Sequence, residues 1–151
     1  MTRPKPTWTS WTWVLVLGNA AGFGLVAGIV FDALDFLQGV ILGPQWDEGL
    51  KALGRAGVAL NQVIWFDLYG LVGAMVAVWI YAAIRPRFGA GPKTAIYVSL
   101  AVWVLAILLP NLLFMWTLGL FPNHLTLMST LFGLVQVVAA NLAGAAVYKE
   151  A

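Results

Sequence analysis

QVIWFDLYGLVGAMVAVWIYAAI, residues 62–84, carries one charged side chain, Asp67, in a run long enough to cross a bilayer. A spanning helix needs about 20 consecutive, mainly apolar residues to match a hydrocarbon core roughly 30 Å thick. Three further runs of this kind occupy about 13–42, 94–121 and 125–148. The pattern predicts an all-α fold, a transmembrane four-helix bundle forming a single domain over residues 1–151. Composition agrees. The chain is 62% hydrophobic and only 9% charged, whereas soluble domains carry about 25% charged residues. With no Cys, disulfides, thiolate metal sites, Fe–S clusters and thiol redox chemistry are excluded. The lone His124 excludes bis-His haem ligation, and no cofactor is expected.

The net charge of +2 does not point to nucleic acid, because the basic residues are scattered over loop ends and form no stripe. They report topology instead. Arg3 and Lys5 at the N-terminus, Arg85, Arg87 and Lys93 in the second loop, and Lys149 at the C-terminus outnumber Lys51 and Arg55 in the first loop. The positive-inside rule therefore puts both termini in the cytoplasm. Trp8, Trp11, Trp13, Trp79, Tyr81, Tyr97 and Tyr148 then form an inner aromatic belt, with Trp46, Trp65, Tyr69 and Trp116 near the outer one. A cleaved signal peptide is the competing reading of the first run. Its length, its two aspartates and the lack of a small-residue cleavage site argue against that.

Three local features refine the architecture. Between 44 and 61, Trp46, Leu50, Leu53 and Gly57 recur at helical spacing and Asp47 precedes Lys51 by four, which predicts a short amphipathic helix in the first outer loop. It would cover the bundle end at the interface or, alternatively, close a cavity as a lid. Pro110 inside the third run predicts a kink, since proline lacks an N–H and its ring clashes with the preceding turn. Leu68-Tyr69-Gly70-Leu71-Val72 matches Leu131-Phe132-Gly133-Leu134-Val135, and Ala82-Ala83-Ile84 matches Ala145-Ala146-Val147. Two spans per half make this a parallel internal repeat.

The chemistry lies in Asp32, Asp35 and Asp67, set in spans with no Lys or Arg to neutralise them. A carboxylate in hydrocarbon costs about 2.5–3.5 kcal/mol on insertion scales, so it faces a bundle interior or water and marks a site by default. Counting at about 1.5 Å per residue puts Asp35 and Asp67 at similar depth below the outer surface. Asp32 lies one turn deeper, with Asn111 and Gln136 near it. Four helices then contribute to one polar layer in the outer half. Asp32 and Asp35, three apart, share a helix face. Carboxylates crowded in a low-dielectric site repel one another and lose hydration, which favours keeping a proton. Such a layer is either a proton, cation or ligand site, or a set of interhelical hydrogen bonds that fixes packing. His124 could pair with Asp67 or Asp35, or simply be solvated. Asn19 and Asn141 come to similar depth on the cytoplasmic side and could bond each other.

Small residues spaced by four, Gly18 with Gly22, Gly24 with Gly28, and Ala140 with Gly144, allow close helix approach. The two pairs in span one make it the expected central helix. They fit packing within the bundle and equally a homo-oligomer or a membrane-complex partner. The glycine-rich turn Arg85-Pro86-Arg87-Phe88-Gly89-Ala90-Gly91-Pro92-Lys93 lacks the Gly-Lys-Ser/Thr ending of a phosphate loop and reads as a cytoplasmic turn.

That turn, with Val78-Trp79-Ile80-Tyr81-Ala82-Ala83-Ile84 before it and Thr94-Ala95 after it, resembles a family of uncharacterised bacterial four-span integral membrane proteins. The likeness extends to Pro122 and Tyr148-Lys149-Glu150. It implies a bacterial inner-membrane location and supplies no activity, cofactor or catalytic residue. With no nucleophile–base pair or metal cluster visible, the chain reads as a non-catalytic accessory or structural protein rather than an enzyme. Its partner is the lipid bilayer. A small proton-coupled transporter or cation pathway using Asp32 and Asp35, assisted by Asp67 or Asn111, is the alternative.

Overall fold

In the computed structural model, backbone is described for residues 10–148, and side chains from residue 22 onward except that of Leu60. Four helices make up the described chain: α1 (Ser10–Ala52), α2 (Leu60–Phe88), α3 (Pro92–Thr117) and α4 (Asn123–Val147). In each, the described residues include a stretch long and apolar enough to cross a membrane. The protein is a multi-pass membrane protein. Around the bundle, α1 packs on α2 and α4, and α3 packs on α4 and less extensively on α2, while α1 and α3 stand diagonally apart. No strand occurs among the described residues.

Facing residues give the register. Along α1 and α4, Phe23 meets Tyr148 edge-on at 5.3 Å between ring centroids, Ala27 faces Gly144, and Asp35 meets Gln136. Along α1 and α2, Gly24 faces Met75 and Gly28 faces Leu71. In each half, the glycine matched by the internal repeat lies against the preceding helix. Gly70 meets Phe31 and Asp32, and Gly133 meets Ile107.

On α4, polar and small residues turn inward and several large apolar ones outward. Thr126, Ser129, Thr130, Gln136 and Asn141 are buried together with Gly133, Ala140 and Gly144, while Leu127, Met128, Leu131 and Val135 are exposed. Lipid solvates large apolar side chains as well as a protein core does, so close contact falls to small residues and to groups that hydrogen-bond across helices. Ser99 Oγ donates to Ala95 O at 2.8 Å and accepts from Asn141 Nδ2 at 3.0 Å.

Span one is not the most enclosed helix. Of the spanning window of α4, 39% is buried, against 17% for α1. Gly24 and Gly28 both serve contact with α2, whereas the small and polar stripe of α4 meets α1 and α3 at once. Gly22 meets nothing where a Cβ would stand. The side chains of Asn19 and the surroundings of Gly18 lie outside the described residues.

A separate amphipathic helix in the first loop is not formed. Instead α1 runs on through Pro44 to Ala52. The extension is held from a distance in sequence, for Trp46 meets Phe121 edge-on at 4.8 Å and Gly49 lies against the Phe121 ring. It stops where Gly54 takes φ 70. Gly54 N then donates to Lys51 O and Arg55 N to Leu50 O, both at 2.9 Å, the paired bonds that close a helix on a left-handed glycine. Beyond it, residues 55–59 are non-helical and exposed, and α2 begins at Leu60.

At Pro110 the backbone changes its hydrogen-bond register rather than breaking. Residues Val104–Leu108 and Asn111–Thr117, on either side of it, are π-helical. Leu109 N bonds Val104 O, five residues back. A π turn absorbs the donor that proline lacks and the room its ring needs. The α2–α3 turn needs Gly89 and Gly91, at φ 87 and 119, and is tied down by Gly91 N donating to Tyr81 Oη at 3.0 Å and Thr94 Oγ1 donating to Gly89 O at 2.7 Å.

Candidate functional site

Asp35 on α1 is joined to α4. Gln136 Nε2 donates to Asp35 Oδ1 at 3.0 Å, and Gln136 is only 3% exposed. An acid and an amide on two antiparallel helices satisfy each other, and the bond fixes the α1–α4 register. Gln136 stands 13 residues from Asn123 and 11 from Val147. The pair is therefore midway along α4 rather than in its outer half.

Asp32 lies one turn along the same face but turns to α2. Its Oδ1 rests against Gly70, where a Cβ would come within 2.7 Å, and this oxygen is buried without a hydrogen-bond partner. Asp67, exposed on α2, is near enough to interact electrostatically with Asp32 and with Asp35. The three carboxylates thus form one group on α1 and α2. No Lys or Arg lies within 13–42 or 62–84, the apolar runs that carry it. Like charges at this range destabilise the group unless a proton, a cation or water relieves them.

Asn111 does not belong to this layer. Its Nδ2 donates to Thr130 Oγ1 at 2.8 Å, and Thr130 Oγ1 in turn donates to Thr126 O at 2.7 Å. Thr130 precedes Gln136 by six residues, about 9 Å along the helix at 1.5 Å per residue. The π-helical turns before Asn111 change the rise and facing that α-helical counting assumes. Trp103 Nε1, donating to Thr130 O at 2.9 Å, adds a second α3–α4 tie at the same place. His124 is also elsewhere. It lines a pocket with Gln45, Glu48 and Phe121 at the loop end of the bundle, about three turns of α4 from Gln136. Asn141 bonds Ser99 across α3 and α4.

Between the four helices lies a cavity of about 280 Å³. Asp35 opens onto it from α1, with Phe31 beside it, and Phe66, Tyr69 and Gly73 line it from α2, while Asn141 lies at its far end. Ala77, which also lines the cavity, packs with Tyr81, Ala95 and Val98 in a buried apolar cluster of α2 and α3. Phe66 and Tyr69 line the cavity and are also exposed, at 58% and 71%, so the mouth is beside the first turns of α2. Sequence reasoning found the acids but missed Phe31, Phe66, Gly70 and the cavity. Nothing in local spacing marks which aromatic side chains of an apolar span border the cavity. Thr126, Thr130 and Gln136 did leave a signal, a helically spaced polar face on α4.

Among the described residues, no group of three or more His, Asp or Glu side chains is placed to hold a metal ion. Comparison with protein-family models, with curated proteins and with solved structures finds no match for the chain.

Proposed function

We propose that the chain is a non-catalytic accessory protein of the bacterial inner membrane, with both termini cytoplasmic, in which the acidic layer joins helices around a cavity that holds a small ligand. The observation that carries this reading is the double role of Asp35. Its carboxylate accepts the bond that ties α1 to α4 and also lines the cavity between the helices. The Lys and Arg distribution supports the orientation, and the resemblance around 78–95 supports the bacterial setting. Its partners are the bilayer and another membrane protein, either a second copy or a larger complex.

The test is reversible unfolding in detergent micelles. Asp35→Asn keeps an acceptor for Gln136 and should unfold near wild type. Asp35→Ala orphans the buried Gln136 amide and Gln136→Leu the half-buried Asp35 carboxylate, and each variant should be less stable. Equal stability of all four proteins would remove the helix-joining role.

A second reading, a proton or cation pathway, is favoured by the buried, partnerless Oδ1 of Asp32 beside two other carboxylates. Its signature is a stability that changes with pH or with added cations and that Asp32→Asn or Asp67→Asn abolishes. A flat response in wild type would rule against this pathway.

A further inference from the structure

The geometry points to a monovalent organic cation with a flat apolar body as the ligand of the interhelical cavity, its charge at Asp35 and its body between Phe31, Phe66 and Tyr69. This inference rests on the reading of the cavity as a ligand site and names the class of ligand it takes. Size comes first. At about 280 Å³ the space lies at the low end of small-molecule pockets, which run from about 300 to 1,000 Å³. One or two fused rings fit, and an intact lipid does not.

Chemistry of the wall decides the rest. An anion is opposed by Asp35 and by Asp32 and Asp67 close behind it. A small inorganic cation would need several oxygen ligands to replace its water, six to eight for calcium. The lining offers Asp35, Tyr69 and Asn141 among residues that are otherwise apolar. An organic cation needs no such shell, because it is already weakly hydrated. Aromatic faces attract it through their quadrupoles, the more strongly when water is excluded. Gln136 occupies only Oδ1 of Asp35, so Oδ2 is left to meet the charge.

Access is one-sided. At the α1–α2 loop end, residues 61–69 of α2 and the segment 53–59 are exposed throughout, which leaves the mouth beside Phe66 and Tyr69 unobstructed. Toward the other end of α2, Ala77 of the lining is packed into the buried cluster with Tyr81, Ala95 and Val98. A ligand therefore enters and leaves by the same mouth, at the end opposite the Arg85–Lys93 turn.

The experiment uses the full-length protein in dodecyl maltoside with N-methylquinolinium, a fluorescent aromatic cation, and 1-methylnaphthalene, a neutral compound of nearly the same shape. Wild type should bind the cation saturably with one site, and the neutral compound at least tenfold more weakly. Asp35→Asn should weaken cation binding at least tenfold and leave the neutral compound unchanged. Gly73→Leu should weaken both, because a side chain built there meets nothing within 4 Å and grows into the cavity. Gly73→Ala should fold as wild type does and show a smaller loss of the same kind.

Equal affinity for the charged and neutral compounds would overturn the inference, leaving an apolar hole that any hydrocarbon fills. So would binding unaffected by either Gly73 variant, or no saturable binding by wild type. The unfolding test of Asp35→Ala and Gln136→Leu is separate. If those variants are destabilised and the cation does not bind, this inference alone fails. If the cation binds and those variants are as stable as wild type, the helix-joining role fails instead.

Discussion

Gly24→Ala tests whether α1 and α2 touch backbone to backbone. A Cβ at position 24 would stand 2.7 Å from Met75 Cα and 2.8 Å from Met75 Cγ. Carbon atoms rest about 3.5–4.0 Å apart, so the helices must separate by about 1 Å at this level. Cα cannot rotate away as a side chain can. Overpacking of this kind costs about 1–3 kcal/mol. Exchange of glycine for alanine also changes helix propensity, by up to about 1 kcal/mol in water-exposed helices. Gly22→Ala, two residues earlier on the same helix, removes that ambiguity, since a Cβ there meets nothing within 4 Å. Gly22→Ala should therefore be neutral or stabilising, and the difference between the two variants should be about 1–3 kcal/mol, a factor of about 5 to 150 in the unfolding equilibrium. Equilibrium unfolding by SDS in mixed micelles, followed through the eight tryptophans, measures it. Equal stability of the two variants would refute close α1–α2 contact at Met75.

Three other outcomes are expected. Ser99→Ala leaves the Asn141 amide, 3% exposed, without its partner and should cost about 1–2 kcal/mol; in a double-mutant cycle, Ser99→Ala with Asn141→Leu should cost less than the sum of the single changes. Pro110→Ala restores an N–H and should return the π turns of α3 toward α-helical register, moving residue 111 away from residue 130. Cysteines introduced at 111 and 130, in a chain that has none of its own, should then cross-link more slowly than in the Pro110 background. Tyr81→Phe removes the acceptor for Gly91 N and should speed hydrogen exchange of the Gly91 amide about fivefold or more, with little change at Asn111.

Helical spans were legible because hydropathy and length are local properties that the bilayer imposes on each segment alone. The acids of the site were legible for the same reason, as carboxylates in apolar runs stand out in any span. What failed was arithmetic that assumed uniform helices. Counting placed Asn111 with Gln136, yet the π turns around Pro110 and the pairing with Thr130 put it six residues away. Proline signalled a disturbance there, but whether a helix kinks or slips into π register depends on what packs against it.

The end of α1 shows the same division. The spacing of Trp46, Leu50 and Leu53 predicts a separate short helix in the first loop. The actual end is set by Gly54, whose glycine signal was present in the sequence, and continuity through Pro44 is supported by Phe121, far along the chain. Composition and periodicity alone determined that this chain is a set of four apolar helices with acids inside two of the spans, since each helix answers to its own surroundings. Tertiary structure alone decided that α4 is the most enclosed helix, that Asp35 meets Gln136 while Asp32 meets Gly70, and that Phe31, Phe66 and Tyr69 line a cavity. Those facts depend on how separate helices rotate and cross, and each helix surface offers several nearly equivalent ways to pack until the contacts are made together.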